Sequence, residues 1–347
     1  MFLGGYDIKN YEQSPDLQRV KQSLLQGQAP HECRPCVRNE RLSGSSLRVI
    51  YEKFHSDVSD RLRSINQATH SEIENLMLNT SNICNLKCLH CSGTSARDLE
   101  LYNMGLLPNV PILHKAYDQW QVLKSFPIRK LTLLGGEPFY DRVTFDILQS
   151  LVDQGRSQDI SIDLNTNMTG ITRQKVQWLA DNFRETVIKA SIDGFGIAND
   201  YLRYPCVWTE ITEAVDIVRT QPRVTFMVTT ALSNLGIMTY PQLLAWGMSL
   251  NINMFLTPVT MPAAMHVHTI PQPIKDIARD RLLDLQARMP STVKDRTQNC
   301  VNVALNICQQ SEFDAEAWQA SLAWYQQHDQ RRGNDLLSAF PDLAPYV

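Results

Sequence analysis

The stretch CNLKCLHC sets Cys84, Cys88 and Cys91 inside one short segment. Thiolates at that density are metal ligands. A disulfide takes two sulfurs, and a structural zinc ion closes with four ligands. A [4Fe–4S] cube takes one cysteine per iron, so three cysteines leave one iron open to bind something else. A zinc site or a purely structural cluster is the other reading of the same residues. Downstream, LLGGEP supplies Gly135, Gly136, Glu137 and Pro138. Adjacent glycines at a strand end permit close backbone approach to a ligand, and Glu137 adds a carboxylate beside them. LNTNMTG offers Asn165 and Asn167, and ASIDG offers Ser191 and Asp193. DYLRYP follows with Arg203, whose guanidinium suits a carboxylate. Each of these taken singly reads as ordinary turn chemistry.

These residues need elements to bring them together. Apolar, β-rich runs occur at 75–79, 130–134, 159–164, 186–192, 223–229 and 252–257, with helical patterns at 142–154, 171–182, 209–219 and 240–249 between them. Strand and helix in alternation predict a parallel sheet. Six such units are fewer than a closed α/β barrel uses, so the expected fold is α/β, a partial (β/α)6 TIM-like barrel over about 70–260. Every candidate residue above then falls at a strand's C-terminal end, the face on which barrels of this class build active sites. Helical additions flank the barrel, at 1–69 and 261–347. In the first, SPDLQRVKQSLLQG carries a Ser cap, a Pro at the first helical position and a Gly stop. The turn APHECRPC and a long polar helix to about residue 70 follow. In the second, 258–274 reads as a Pro-rich linker, 272–288 and 314–330 read as helices, and Arg331 with Arg332 reads as a solvated helix face, with a local basic patch as the alternative.

The chain has 347 residues, a formal net charge of −3 and a hydrophobic fraction of 43%. A sizeable core is therefore within reach, and no basic field exists to hold a nucleic-acid backbone. The opening residues lack the basic and apolar regions of a secretory signal, and no apolar run is long enough to span a membrane. Eight cysteines without such a signal predict metal or redox chemistry in a reducing cytoplasm rather than disulfides.

With the strand-end motifs in this order, the chain resembles the radical SAM superfamily, whose signature C-x3-C-x2-C stands here as CNLKCLHC. The resemblance implies a [4Fe–4S] cluster on Cys84, Cys88 and Cys91, with S-adenosylmethionine chelating the open iron. Electron transfer from the cluster then yields methionine and a 5′-deoxyadenosyl radical that abstracts hydrogen from a substrate. It also implies that Gly135–Pro138 (GGEP) contacts the methionyl amino group. Asn165, Asn167, Ser191, Asp193 and Arg203 correspond to cofactor-contacting positions, and His90 takes the place of an aromatic packed near adenine. LQGQAPHECRPCVRNERLSGSSLR resembles the N-terminal region of twitch- or SPASM-type members. Such members commonly modify peptides, including ribosomal natural-product precursors. The expected reaction is hydrogen abstraction from a peptide. The expected partners are a leader-recognition protein and a reductase, flavodoxin or ferredoxin as electron donor.

Five cysteines remain. Cys33 and Cys36 (C-x2-C) with Cys300 and Cys308 (C-x7-C) add up to four ligands for an auxiliary iron–sulfur cluster. A zinc half-site at Cys33 and Cys36, or core packing of Cys300 and Cys308, is the alternative. The 300–308 spacing is not that of neighbours on a helix face, so joint ligation calls for a turn between them. Cys206, in RYPCVW, is expected on the active face, as a hydrogen donor in Cα epimerisation or as a loop cysteine without a role. Crosslinking or backbone excision with an auxiliary cluster is a second reaction reading. Modification of a nucleotide, tRNA or small metabolite, and a non-catalytic cluster protein, are the remaining classes.

Overall fold

The structure is a computed structural model and describes residues 14–34, 36–37, 40, 49, 74–91, 116–290, 293, 295–309 and 314–347. The long polar helix expected up to about residue 70 lies outside the described residues. Contacts divide the chain into two units. One comprises Met1–Glu74 with Trp120–Pro127, and the other Asn75–Gln119 with Ile128–Val347. In the first, α1 (Pro15–Leu25) starts as its sequence dictates. Ser14 accepts from the Leu17 N–H at 3.2 Å, Pro15 occupies the first turn, and Gly27 ends the segment at φ 72°.

The second unit is built on six parallel strands, and their order in the sheet is their order in the chain. They are β1 (Asn75–Asn79), β2 (Lys130–Leu134), β3 (Ser161–Thr166), β4 (Glu185–Ser191), β5 (Val224–Leu232) and β6 (Asn253–Pro258). The helices after α1 are α2 (Ala116–Leu123), α3 (Arg142–Asp153), α4 (Arg173–Asn182), α5 (Ile197–Leu202), α6 (Trp208–Arg219) and α7 (Gly236–Ser249). Sequential parallel order with helical crossovers is the partial barrel expected.

Strand periodicity assigns the two faces. One register row, Leu78, Leu133, Leu164 and Ile188, is buried under the helices. The neighbouring rows on the opposite face mix polar residues such as Thr132, Asp163 and Lys189 with apolar ones such as Met77 and Val187. Asn165 lies beside Lys189, and the Lys189 Nζ reaches Asp163 Oδ2 at 2.7 Å. β3 is shifted two residues along from the expected 159–164, with a 3-10 turn at Ser157–Asp159 before it. Asn165 lies within its last two residues and Asn167 just past its end, as expected for strand-end positions.

Beyond β6 the structure corrects one expectation. The Pro-rich piece after residue 258 is no loose linker: Met265, Val267 and Ile270 are buried, and Asn234 N–H donates to the Met265 carbonyl at 3.2 Å. The C-terminal helices, α8 (Gln272–Ala287), α9 (Asp295–Gln309), α10 (Ala315–Arg332) and α11 (Leu336–Ala339), belong to the same unit as the barrel. Among the described residues no helix is long and apolar enough to cross a membrane.

Candidate functional site

The loop after β1 carries the three cysteines, and the ends of β2, β3 and β4 hold it. Thr80 N–H continues the parallel ladder to the Leu134 carbonyl at 2.8 Å. Gly136 and Glu137 N–H groups then donate to the Ser81 and Ile83 carbonyls at 2.8 and 2.9 Å. A Cβ on Gly136 would lie 1.9 Å from the Ile83 oxygen, and one on Gly135, at φ 147°, would lie 2.5 Å from the Ser81 oxygen. The double glycine therefore lets the cysteine loop approach the end of β2.

Glu137 is buried behind this contact. Its carboxylate accepts from Thr166 Oγ1 at 2.6 Å, Asn167 N–H at 2.5 Å and Phe139 N–H at 3.0 Å. Burial raises its pKa, and the Thr166 and Asn167 bonds oppose that rise. Glu137 thus staples the end of β2 to the end of β3. Pro138, also buried, begins the turn that leads into α3. Asn167 carries the link onward: its Nδ2 donates to Asn85 Oδ1 at 3.0 Å and lies 3.6 Å from the Cys84 sulfur. Asn85 in turn donates to Thr169 Oγ1 at 2.7 Å.

The β4 end holds the other side. Asp193 is 1% exposed and accepts from Arg203 Nη1 at 2.5 Å and from Ala231 N–H at 2.7 Å. His90 Nδ1 stands 3.5 Å from the same carboxylate. Burial acts to raise the pKa of Asp193, but the charge of Arg203 and then of His90 outweigh it and hold the carboxyl below its usual range. Ser191 closes β4, half-buried, in register with Thr229.

The chemistry of this donor set fits a cluster. Cys88 is buried, Cys84 and Cys91 are half-buried, and all are free thiols. Burial raises the Cys84 pKa and pushes Cys88 up to about 12, so their thiolate forms call for a cationic partner. Among the described residues no three His, Cys, Asp or Glu side chains gather around a single metal-ion position. A cluster with one cysteine per iron spreads its ligands more widely than one tetrahedral ion does. Among the buried polar atoms without a hydrogen-bond partner are Asn165 Oδ1 at the end of β3, Arg203 Nε and Arg332 Nη1.

The other cysteines fall in both units. Cys33 and Cys36 belong to the first unit, Cys300 and Cys308 to the second. The turn expected between Cys300 and Cys308 is absent, because α9 runs unbroken through both. Eight residues of helix separate their backbones by about 12 Å. Cys300 donates to the Met254 carbonyl at 3.3 Å, and both thiols are buried. Cys206 lines a side cavity of about 270 Å³ with Asp200, Tyr201 and Tyr204 from the segment after β4 and with Asn334 and Ser338 from the C-terminal segment. No strand-end residue lines that cavity. Its thiol accepts from Asn199 Nδ2 at 3.3 Å, lies 3.6 Å from Asp200 Oδ1, and is pushed up to about 12 by burial.

Sequence reasoning missed the scaffold residues Thr166, Asn85, Thr169 and Arg332. The first three sit within or beside the quoted motifs. Arg332 carries no local signal: it was expected on a solvated face, yet its Nη2 donates to the Lys87 carbonyl at 2.7 Å.

Comparison with known proteins adds the following. A family model described as the radical SAM superfamily matches residues 78–230, less than half of the chain. A curated relative, pre-heme d1 synthase of Dinoroseobacter shibae, is 31% identical over 125 residues, covering 36% of this chain and 28% of that protein. The solved structure of native anSMEcpe with bound AdoMet is similar at a TM-score of 0.45 and 15% identity, over 60% of this chain and 58% of that one. Streptococcus suis SuiB bound to S-adenosylmethionine is similar at a TM-score of 0.42 and 11% identity, over 96% of this chain and 64% of that one.

Proposed function

We propose that this chain is a radical SAM enzyme, a reading supported by the family model that matches residues 78–230, and that it reductively cleaves S-adenosylmethionine and abstracts hydrogen from a peptide. The observation that carries the reading is the loop of Cys84, Cys88 and Cys91, three free thiols fastened to the ends of β2, β3 and β4. When bound, the cluster and S-adenosylmethionine supply a 5′-deoxyadenosyl radical. The chain's own residues do the rest. Glu137 and Asn167 fix the thiol of Cys84, and the Asp193–Arg203 pair fixes the segment opposite Cys88. Asn165 Oδ1 and Arg203 Nε offer an acceptor and a donor to the cofactor's polar groups.

The peptide substrate rests on the twitch- or SPASM-like resemblance of the N-terminal segment. Within that class we favour Cα epimerisation, with the Cys206 thiol returning hydrogen to the substrate carbon. Its backbone N–H donates to the Arg203 carbonyl at 3.1 Å, which supports this role by tying it to the segment opposite Cys88. The reading includes a reductase, flavodoxin or ferredoxin as electron donor, a leader-recognition partner and a reducing, cytoplasmic setting.

The test is anaerobic. The reconstituted, reduced chain is expected to turn S-adenosylmethionine into 5′-deoxyadenosine; none formed would refute the enzyme reading. With a precursor peptide in D2O, deuterium is expected at a product α-carbon and is expected to be lost in Cys206→Ala. Unchanged incorporation in that variant would remove Cys206 from the mechanism.

A further inference from the structure

Lys87 lies inside the cysteine loop, one residue before Cys88, and both of its backbone groups are taken by residues far away in sequence. Its N–H donates to the Tyr204 carbonyl at 2.6 Å, and its own carbonyl accepts from Arg332 Nη2 at 2.7 Å. Leu89 N–H donates to the Leu202 carbonyl at 2.9 Å. Residues 87 and 89 therefore pair with 204 and 202 in an antiparallel sense, with Cys88 opposite Arg203. Arg332 touches both sides of this pairing, because its guanidinium also lies 5.3 Å from the centre of the Tyr204 ring.

The end of α10 sets Arg332 in place. Gly333 follows at φ 65°, and its N–H donates to the Asp329 carbonyl at 2.8 Å. Asp329 Oδ2 accepts from the Leu336 N–H at 3.0 Å and turns the chain into α11. The neighbouring Arg331 is exposed. So the helix terminus aims one arginine at the loop and the other at solvent.

We propose that Arg332 is a positioning residue for the cluster. It locks the Lys87 carbonyl against the 202–204 segment and brings a permanent positive charge beside the loop. The C-terminal helix, and not the barrel alone, then sets how tightly the cluster is held and at what potential it is reduced. Hydrogen bonds and charge around a cluster tune its potential, and groups that orient metal ligands tune affinity. The inference rests on the reading that Cys84, Cys88 and Cys91 hold a cluster.

The experiment uses the full chain, reconstituted anaerobically with iron and sulfide, as wild type, Arg332→Gln, Arg332→Lys and Arg331→Gln. Iron retention against a chelator, the midpoint potential and the EPR spectrum of the reduced cluster are compared. Arg332→Gln is expected to weaken iron retention by about tenfold or more, to lower the potential and to shift the EPR signal. Arg332→Lys keeps the charge but loses the planar fork, so its potential is expected near wild type while its retention falls. Arg331→Gln is expected to match wild type in all three. Wild-type retention, potential and spectrum in Arg332→Gln would overturn the proposal. Should that variant fail to fold, wild-type retention in Arg332→Lys would overturn it equally. A wild-type chain that takes up no iron would sink the cluster reading and this inference together, whereas a loaded wild type with an unchanged variant sinks only this one.

Discussion

At Gly136 a single hydrogen atom decides whether the cysteine loop can close on β2. A methyl group there would sit 1.9 Å from the Ile83 oxygen and 2.3 Å from its carbonyl carbon, both backbone atoms that cannot swing aside. Gly136→Ala is therefore expected to leave all three thiols present but misplaced. The measurement is iron per chain after reconstitution, expected to fall to a small fraction of wild type while far-UV circular dichroism stays unchanged. Full loading would mean that the loop has slack the packing does not show. The sequence marked the double glycine as a point of close backbone approach. What approaches was not legible, because the partner atoms lie more than fifty positions away. Glu137 teaches the same lesson: its type and place announced a functional carboxylate, yet its oxygens are engaged by Thr166, Asn167 and Phe139.

Strands and helices were the best-read parts, since their apolar periods are local. β1 and β2 fall where their β-rich runs stand, and α3 and α4 start at residues whose side chains cap them, Asp141 and Thr172. α9 was not read, because DRTQNCVNVALNICQ mixes polar and β-branched residues without a clear helical stripe. That miss mattered for chemistry. Two cysteines expected on either side of a turn are instead two turns apart on one helix. Their burial makes them core residues. Iron analysis of the Cys84, Cys88, Cys91→Ala variant is accordingly expected to find none. About four irons, one cube's worth, would restore an auxiliary cluster and send attention back to Cys33 and Cys36. In the same helix, Cys308→Ala is expected to cost about 1–2 kcal/mol through the small cavity it leaves, read as a lower Tm with iron content unchanged.

Across the whole second unit, the C-terminal helices complete the barrel rather than decorate it. Asn234, fully buried after β5, donates to the Ala264 carbonyl and Thr269 Oγ1 at 2.9 and 2.8 Å and accepts from Tyr325 OH of α10 at 2.6 Å. Tyr201 of α5 meets the rings of Tyr325 and Phe340 at 6.4 and 5.7 Å. Residues of this unit separated by the length of the barrel are thus expected to unfold together, in one calorimetric transition. Asn234→Ala strands the Tyr325 hydroxyl in the core and is expected to destabilise that transition by about 2–4 kcal/mol. A separate low-temperature transition for the C-terminal helices would contradict this account.

From composition and local order alone came the partial barrel, the three-thiol loop at its C-terminal face and the motifs that follow in strand order. Those features depend on residue type, period and spacing, which are properties of a linear chain. Folding in three dimensions assigned partners: the glycines to the loop backbone, Glu137 to β3, Cys206 to a side cavity and Arg332 to Lys87. Hydrogen bonds and burial between residues distant in the chain depend on how the elements pack, and no local pattern encodes them.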